Sequence, residues 1–576
     1  LTVIMHDMAV KHPKEADKMK RMLESLTKRT EDELVREAAQ KVRRWMDVGA
    51  AVFVSPEAVP YFKAGGMANV VGELAMVLAK SGLKVYVVLP QYQNLDKSTV
   101  QYTGKVAQIF LGRHGHVAGS IAEKYFEDVD YVFLDNPYFA DALYGQSSKE
   151  HESLRAAFLS LGALEAMKAL NIHPSIIIGN DWMTAPLMAH LNSDRSLYKR
   201  DPHFSQARTI GWIHNNGQDY QFKVGRYQNG VDLLGNLGLA PEDYGWFIDP
   251  HRSDLINFMH AFIRHAGIIV PVSPGQLRDY VQTDDKGGAE GFRHVFIEKK
   301  QARRLFSVTN GIPLRERQRG RFGMTMFDVH TPEDLQKFLK IQRKKQIESR
   351  IIMAEEYPQF WPASGGRSEY INENYFVGNL VSRITDQKGI QYVVPFVRRV
   401  MYSGRYPDVS FVFAGVGDPL LMGQLNALIY EFPGRVGYNN DFVSNQKPLY
   451  YHVYGIGDFY NSFSMWEPGG ISPMEALAFG VPGLVSDKQG HKSTIRSIYV
   501  PELARITRIN DNEPDFNGAR FPVDEYRVDR TVDYIMFAFD RLYAAWKARN
   551  ENDQWDTLRA HALMSDNSWE KTSESV

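Results

Sequence analysis

No cysteine occurs in this chain of 576 residues, which excludes disulfides, thiolate metal sites and a cysteine nucleophile. The formal net charge is only −1, so the overall electrostatics do not favour nucleic acid or an anionic membrane, and a neutral substrate fits better. No apolar run approaches the roughly 18 to 20 residues that span a bilayer, and the first residues lack a signal-peptide pattern. We therefore expect a soluble, intracellular protein.

Several patterns of known chemistry are also missing. The 17 histidines are scattered without metal-ligand spacing, and no Ser/His/Asp elbow or short repeat occurs. We therefore expect neither a metal nor another cofactor. What the composition does provide is 44% hydrophobic and 12% aromatic residues, in a chain long enough for at least two well-packed domains.

The stretch 459–486 predicts a strand, a turn, a helix and a second strand. Its apolar start suits a buried parallel strand, and Gly469 and Gly470 allow backbone geometries that a Cβ would forbid. Ser472-Pro473-x-Glu475 predicts a helix start with a capping serine, a proline in the first position and an acid in the third. The free amides and the positive dipole end of such a helix favour an anion such as a diphosphate.

Two carboxylates flank this turn, Glu467 at its entry and Glu475 eight residues later. Glu475 has a structural alternative, because a capping-box acid returning to the N–H of Ser472 would stabilise the helix by about 1 kcal/mol. Glu467 has no such local explanation, since burying an acid between an apolar strand and a Pro-Gly-Gly turn is costly without partners. We therefore expect Glu467 to serve the chemistry.

A resemblance to a known family follows from these residues. The pattern Glu-Pro-x-Gly-Ile at 467–471, followed by a helix and Gly-Val-Pro-Gly-Leu-Val, resembles the nucleotide-sugar site of retaining glycosyltransferases with two facing Rossmann-like domains. Starch and glycogen synthases are the most similar group. The spacing of the two glutamates is more typical of broader relatives that include sucrose synthase-like enzymes.

A second match lies in the predicted strand-helix-strand unit over 51–89. Gly65 and Gly66 permit close approach of a ligand to the backbone, and Lys63 adds a cation beside the same helix N-terminus. This Lys-x-Gly-Gly pattern resembles the motif of starch and glycogen synthases. The family has Asp where this chain has Asn69.

Polar residues end two further apolar strands, where ligands of parallel sheets bind. Asp181 and Trp182 match the His-Asp-Trp pattern of the family, but Asn180 replaces its histidine. His214 and Asn215 match residues that lie beside the donor sugar in the family, although a purely structural role for a histidine at a strand end remains open.

The most specific match lies at 375–390, where a strand delivers Arg383 and the next loop delivers Lys388. Two such cations could bracket a diphosphate, with each charge-assisted hydrogen bond contributing about 1.5 to 3 kcal/mol. Starch and glycogen synthases use an arginine and a lysine at the matching positions for that purpose.

We predict four regions: an N-terminal helical extension over 1–50, a first Rossmann-like acceptor-side domain over 51–308, a nucleotide-sugar-binding Rossmann-like domain over 309–555, and a terminal helix over 556–576 that returns to the first domain. The extension contains the capping box Thr30-Glu-Asp-Glu33 ahead of an apolar stripe, which either covers the first domain or binds a partner or a second copy. A charged helix capped by Thr331 is predicted over 331–356.

The resemblance implies an α/β protein with the GT-B fold, in which two doubly wound domains face a deep cleft. It implies a cytoplasmic hexosyltransferase that moves glucose from ADP-glucose or UDP-glucose to the non-reducing end of an α-1,4-glucan with retained configuration. It implies these contacts: Arg383, Lys388 and Lys63 on the diphosphate; Gly65, Gly66, Gly469, Gly470 and Ile471 along the diphosphate and sugar; Glu467 on the sugar; Glu475 on the ribose; His214, Asn215, Asp181 and Asn257 on the sugar and acceptor side.

Two alternatives stay open. A sucrose synthase-like or other small-acceptor glycosyltransferase would keep the same donor residues. A non-catalytic glucan-binding scaffold is the alternative from another class, and it is motivated by the departures from the family pattern at Asn69, Asn180, His260, Pro313 and Pro473.

Overall fold

The computed structural model describes residues 18, 20–25, 28, 36, 39, 49–140, 148–313, 331–440 and 448–573. The predicted helix that follows the capping box at 30–33 lies outside these residues, except for Arg36 and Ala39, which are helical. None of the described helices is both long enough and apolar enough to cross a membrane.

The chain divides into two compact units. The first comprises Leu1–Val272, Leu277–Val308 and Ser573–Val576, and the second comprises Ser273–Gln276 and Thr309–Thr572. The second unit includes residues 556–572, which we predicted to return to the first domain. The predicted bounds of the four regions stay a prediction.

Strands and helices alternate along the first part of the chain. The strands are β1 (Ala50–Val54), β2 (Lys84–Pro90), β3 (Gln101–Phe110), β4 (His116–Phe126), β5 (Val129–Asp135), β6 (Pro174–Asn180), β7 (Arg208–Ile213), β8 (Lys223–Gly225), β9 (Tyr227–Gln228), β10 (Val231–Asp232), β11 (Leu255–Asn257) and β12 (Ile268–Pro271). The helices are α1 (Gly66–Lys80), α2 (Lys149–Ala169), α3 (Ala185–Asn192), α4 (Leu197–Arg200), α5 (Phe258–His265), α6 (Pro274–Gln282) and α7 (Arg293–Gln301).

The described part of the first unit is built on an eight-stranded sheet with the order β12-β7-β6-β1-β2-β5-β4-β3. The six strands from β12 to β5 are parallel, and β4 and β3 add an antiparallel edge. The parallel part therefore has the strand order of a doubly wound nucleotide-binding sheet. The chain connections run outward in opposite directions from β1 and β6, so the crossovers diverge between these two strands. Ligands of such sheets bind outside the carboxyl ends of the strands at that point.

The second part of the chain repeats this alternation. Its strands are β13 (Phe376–Val381), β14 (Val409–Ala414), β15 (Val436–Asn439), β16 (Phe459–Ser462), β17 (Gly483–Ser486) and β18 (Gly518–Phe521). Its helices are α8 (Pro332–Glu356), α9 (Ile390–Tyr402), α10 (Pro419–Glu431), α11 (Pro448–Gly455), α12 (Ile471–Ala478), α13 (Gln489–Thr494), α14 (Ala504–Thr507), α15 (Val528–Lys547), α16 (Gln554–Met564) and α17 (Trp569–Ser573).

The sheet of the second unit has the order β15-β14-β13-β16-β17-β18, and its strand pairs are all parallel. This is the same doubly wound order, with the divergence between β13 and β16. The predicted pair of Rossmann-like sheets is confirmed, and the strands are buried on both faces, as their continuous apolar runs indicate.

Aromatic packing fixes this second sheet. The ring of Phe376 on β13 stacks on Phe459 of β16 with centroids 4.6 Å apart, and Trp546 of α15 lies 5.1 Å from Phe376. Each fully buried side chain of this size stabilises the fold by about 1.5 to 3 kcal/mol. The starts of β13 and β16 are therefore packed side by side.

The predicted charged helix over 331–356 is confirmed as α8. Thr331 Oγ1 accepts a hydrogen bond from the N–H of Asp334 at 3.1 Å, and the Asp334 carboxylate accepts one from the N–H of Thr331 at 3.0 Å. This reciprocal pair is a capping box and satisfies two amides at the helix start.

Candidate active site

In the second unit, the predicted cations and the predicted acid come from the two strands at which the crossovers diverge. β13 and β16 are parallel neighbours, with Gly378 opposite Phe459. Arg383 and Lys388 lie in the loop that follows β13, and Glu467 lies in the loop that follows β16. The sheet order therefore brings together three residues that are far apart in sequence.

Lys388 and Glu467 form an ion pair. Lys388 Nζ donates to Glu467 Oε2 at 2.5 Å, and Ser464 Oγ donates to the same oxygen at 2.8 Å. Glu467 is only 6% exposed. Burial alone would raise the pKa of Glu467, but Lys388, the charge that His491 acquires in acid and the hydrogen bond from Ser464 outweigh it and lower that pKa to about 2. The carboxylate is therefore ionised throughout the neutral range.

A glycine explains how Lys388 reaches this position. Gly389 has φ +72°, in the left-handed region, and a Cβ there would lie 2.1 Å from the carbonyl oxygen of Phe463. Any other residue would push the two loops apart. The loop after β13 thus lies directly against the backbone that continues β16.

Arg383 is exposed and is tied to the same loop through a glutamine. Arg383 Nη2 donates to Gln387 Oε1 at 3.3 Å, and Gln387 Nε2 donates to the carbonyl of Trp466 at 3.4 Å. The backbone of Gln387 also accepts a hydrogen bond from Met465 N–H at 2.9 Å. The sequence analysis did not identify Gln387. The residues next to it in the sequence do not indicate that it connects the loop of Arg383 and Lys388 to the loop at 465–467.

Gly490 and His491 were also missed. The N–H of Gly490 donates to the carbonyl of Glu467 at 2.8 Å, and a Cβ at Gly490 would lie 2.8 Å from the backbone of Gly469. His491 Nε2 lies 4.0 Å from Glu467 Oε2. The sequence did contain a signal for these two residues, because they follow the apolar run of β17 just as Glu467 follows that of β16.

His491 is neutral beneath Glu467. Its Nδ1 lies 3.0 Å from the carbonyl of Ser486, which can only accept, so the proton is on Nδ1. Its Nε2 then accepts from Ser462 Oγ at 3.1 Å. Burial lowers the pKa of His491 to about 4, so the ring contributes no charge to Glu467 at neutral pH. Lys388 is therefore the cation that keeps Glu467 ionised.

The predicted capping arrangement at Ser472 is wrong. Helix α12 begins at Ile471, and its N-cap is Gly470, which has φ +60° and makes no side-chain cap. Because glycine adopts this left-handed conformation without strain, the helix starts earlier and Ser472 lies inside its first turn. Gly469, Gly470 and Ile471 thus form the turn that directly follows Glu467.

Glu475 is buried at the fifth helical position, where it is not a cap. Its Oε2 accepts a hydrogen bond from Tyr454 Oη at 2.7 Å, and it is 5% exposed. Burial, together with the nearby Glu475 carboxylate, raises the pKa of Tyr454 well above its usual value. The phenol therefore stays protonated and donates, while the predicted ribose contact of Glu475 stays a prediction.

In the first unit, an acid that sequence reasoning missed occupies the loop before α1. Glu57 is 2% exposed, and its Oε2 accepts from the N–H of Ala64 at 2.5 Å and of Gly65 at 3.1 Å. One of the amides predicted for an anion is thus taken by the protein itself. Lys63 and Gly66 flank this contact, and α1 begins at Gly66.

Asp181 and His214 lie together at the carboxyl ends of β6 and β7. Asp181 has φ +52°, and its Oδ1 accepts from the N–H of His214 at 2.8 Å. Burial raises the pKa of Asp181 to about 8, although the N–H groups of His214 and Asn215 partly offset it. Burial also lowers the pKa of His214 to about 3, so the imidazole is neutral at physiological pH.

Two other predicted residues of the first unit, Asn257 and Asn215, make hydrogen bonds within its loops. Asn257 is fully buried and caps α5: its Nδ2 donates to Gln221 at 2.8 Å and to Asp249 at 3.0 Å, and its Oδ1 accepts from His260 N–H. Asn215 Oδ1 accepts from Gly217 N–H at 3.0 Å. The structure thus gives Asn257 a supporting role, and its contact with a substrate stays a prediction.

The predicted site residues therefore form two groups, each at the carboxyl edge of its own sheet. The first unit holds Lys63, Gly65, Gly66, Asp181, His214 and Asn215, and the second holds Arg383, Lys388, Glu467, Gly469, Gly470, Ile471 and Glu475. Among the residues that the structure describes, no group of three or more His, Asp or Glu side chains is arranged to hold a metal ion.

Comparisons with known proteins show which families this sequence resembles. Residues 51–295 match the family described as starch synthase catalytic domain, and residues 367–499 match glycosyl transferases group 1. A glycogen synthase of Streptococcus equi subsp. zooepidemicus is 26% identical over 535 residues, which cover 91% of this chain and 97% of that protein. A glycogen synthase of Clostridium botulinum is 25% identical over 536 residues, with the same coverage of both chains.

A solved structure shares the fold. The catalytic domain of starch synthase IV from Arabidopsis thaliana, bound to ADP and acarbose, superimposes with a TM-score of 0.71 at 19% identity. The match covers 92% of this chain and 97% of that one. At this identity the likeness establishes the architecture alone.

Proposed function

We propose that this chain, which is similar in sequence to glycogen synthases and shares the GT-B fold, transfers glucose from ADP-glucose or UDP-glucose to the non-reducing end of an α-1,4-glucan. The observation that carries the proposal is the ion pair of Lys388 and Glu467 beside Arg383, at the point where the crossovers of the second sheet diverge.

Arg383 and Lys388 suit the diphosphate of the donor. Arg383 is exposed, and Lys388 is held at the tip of a short helical turn that ends in Gly389. Two cations can stabilise the charge that develops on a leaving diphosphate, and this electrostatic contribution is often the largest in such reactions. We propose that these two side chains do so without a metal ion.

Glu467 suits an acceptor of hydrogen bonds from the sugar. Its pKa of about 2 leaves no proton to donate at neutral pH, so it does not suit a general acid. An ionised carboxylate can hold sugar hydroxyls and also favour positive charge on the sugar in the transition state. The leaving diphosphate would then assist attack on the same face of the sugar, which retains the configuration.

The first unit would provide Lys63 and Gly66 for the diphosphate and the sugar, and Asp181 and His214 for the sugar and acceptor side. Lys63 and the amide of Gly66 lie at the start of α1, and Asp181 holds the backbone of His214 in place. These groups would position a reactant, which lowers the entropic part of the barrier.

A donor-by-acceptor assay tests the proposal. ADP-glucose and UDP-glucose are each incubated with a maltooligosaccharide, with fructose or with no acceptor, and nucleotide release is measured. We expect release with the oligosaccharide and a product whose new linkage is α by proton NMR. Release with fructose instead would favour a small-acceptor transferase, and glucan binding without release from either donor would indicate a scaffold.

A further inference from the structure

In the first unit, we propose that Asn180 is a positioning residue that holds the neutral ring of His214 with its proton on Nε2, so that Nδ1 accepts a hydrogen bond from a hydroxyl group of the sugar substrate. Only the identity of that substrate rests on the proposed function. Asn180 is one of the positions at which the sequence departs from the family pattern, where a histidine is usual.

The orientation of the Asn180 amide follows from its two partners. The side chain is 1% exposed, and its Nδ2 donates to the carbonyl of Val54 at 3.0 Å. Its Oδ1 lies 2.9 Å from His214 Nε2. Turning the amide over would set its oxygen against the carbonyl of Val54, which can only accept. The oxygen therefore faces His214, and Nε2 must be the donor.

The position of His214 is fixed from a second direction. Asp181 Oδ1 accepts from the backbone N–H of His214 at 2.8 Å, so the backbone of His214 is held at the end of β7 next to Asn180. The pKa of His214, lowered to about 3 by burial, keeps the ring neutral. A neutral imidazole with its proton on Nε2 has a lone pair on Nδ1.

That lone pair determines what the ring can bind. Among the described residues, none donates a hydrogen bond to His214 Nδ1. The lone pair would accept from an uncharged hydroxyl and would repel a carboxylate at the same position. Asn180 thereby favours a neutral hexose over a uronic acid at this point of the site.

Histidine NMR tests the tautomer directly. The full chain is labelled with side-chain ¹⁵N-histidine, and the His214 signals are assigned by their loss in His214→Gln. We expect a protonated Nε2 and an unprotonated Nδ1 in the free protein. A protonated Nδ1 overturns the proposal, whether or not the protein transfers glucose.

A matched pair of variants tests the role of Asn180. Asn180→Leu removes the acceptor and keeps a side chain that branches at the same atom, and we expect a mixture of tautomers and a kcat/KM at least about tenfold lower, as for one lost hydrogen bond. Asn192→Leu is the control, because Asn192 also contacts a histidine ring, with its Nδ2 donating to His265 Nδ1 at 2.9 Å. It should leave the His214 signals and the rate unchanged.

Asn180→Asp keeps the proposal testable if the leucine variant does not fold. In its protonated form the acid can donate to the carbonyl of Val54 while its other oxygen accepts from Nε2, so we expect the same tautomer as in the parent chain. A changed tautomer in Asn180→Asp, or unchanged His214 signals in a folded Asn180→Leu, would contradict the role of Asn180.

Substrate titration separates this inference from the proposed function. Maltooligosaccharide, ADP-glucose, UDP-glucose and UDP-glucuronic acid are added in turn. We expect a neutral sugar to shift the Nδ1 signal in the direction of an accepted hydrogen bond. An Nδ1 signal that no sugar shifts, in a protein that does transfer glucose, would overturn the hydroxyl contact and leave the function standing. The expected shift in a protein that releases no nucleotide would support the hydroxyl contact and contradict the proposed function.

Discussion

Lys388 Nζ lies 2.5 Å from Glu467 Oε2, so the cation predicted for the diphosphate is already paired with the acid predicted for the sugar. The pair is only partly accessible, with the two side chains 18% and 9% exposed. A lysine has three donors, so Lys388 can bind a phosphate oxygen without releasing Glu467. The carboxylate predicted to contact the donor sugar thus has its charge balanced by Lys388 in the free protein.

Arg383→Ala should lower turnover by at least ~100-fold, equivalent to about 2.7 kcal/mol of transition-state stabilisation. Because Arg383 is exposed, the free energy of unfolding should change by less than about 0.5 kcal/mol. Turnover with a maltooligosaccharide and urea unfolding measure the two effects. Arg405→Ala is the matched control, since Arg405 is an exposed arginine of the same unit that pairs with Asp540. A wild-type rate in Arg383→Ala would remove this residue from the site.

Lys388→Ala should affect stability as well as rate. It leaves Glu467 buried without its cation, and removing one partner of a buried pair typically costs about 3 to 5 kcal/mol. We expect the lower end, because Lys388 is 18% exposed. Adding Glu467→Gln should restore most of the unfolding free energy but none of the activity. Additive losses in this double-mutant cycle would show that the pair is not coupled.

Chelation should leave the rate unchanged. We expect full activity after dialysis against EDTA, because Arg383 and Lys388 would stabilise the leaving diphosphate in place of a metal. The measurement is the initial rate with and without added Mg²⁺ or Mn²⁺. A loss that either ion restores would mean that a metal neutralises the leaving group.

Glu475→Gln should weaken donor binding and spare the helix. Glu475 is not a cap, and glutamine can still accept from Tyr454, so the unfolding free energy should change little. If the carboxylate grips the ribose through charge-assisted hydrogen bonds, the donor KM should rise by at least about tenfold while the glucan KM stays the same. Tyr454→Phe is the control for the internal contact. Equal donor KM values in Glu475→Gln and the parent chain would leave Glu475 with a structural role alone.

Acid should destabilise the fold through its buried histidines. Burial lowers the pKa of five of them to about 3 or 4: His190, His214, His260, His265 and His491. Below the unfolded value of about 6.5, the unfolded chain binds more protons, so stability falls as pH drops from about 6.5 towards 4. Asp181 has the opposite effect, because its raised pKa means that the folded state binds one more proton there than the unfolded state. This single group offsets only part of the loss of stability.

Denaturant unfolding at pH 7 and pH 5 measures this loss. His190→Gln keeps polar atoms near Ser196 and the carbonyl of Leu237 but cannot titrate. It should reduce the loss by up to about 1.4 kcal/mol per pH unit. A constant free energy of unfolding between the two pH values would contradict the expected neutrality of these rings.

The two sheets were predictable because buried parallel strands appear in the sequence as apolar runs that end in glycines or polar residues. Arg383, Lys388 and Glu467 were found in the same way, at strand ends that the resemblance marks. Gln387 and His491 were missed because their partners depend on which strands become neighbours, and sheet order is not written in local sequence. The start of α12 was misplaced because a backbone conformation at Gly470, rather than a side-chain cap, begins that helix.

Gly389 and the backbone of Phe463 fit against each other with no room for even one methyl group. The two loops therefore form one packed unit, although they are distant in the sequence. A chimera that takes residues 375–390 from one relative and 459–470 from another would combine two loops whose surfaces are not matched to each other. Crossover points for recombination between relatives should lie outside both segments, so that the pair is exchanged whole.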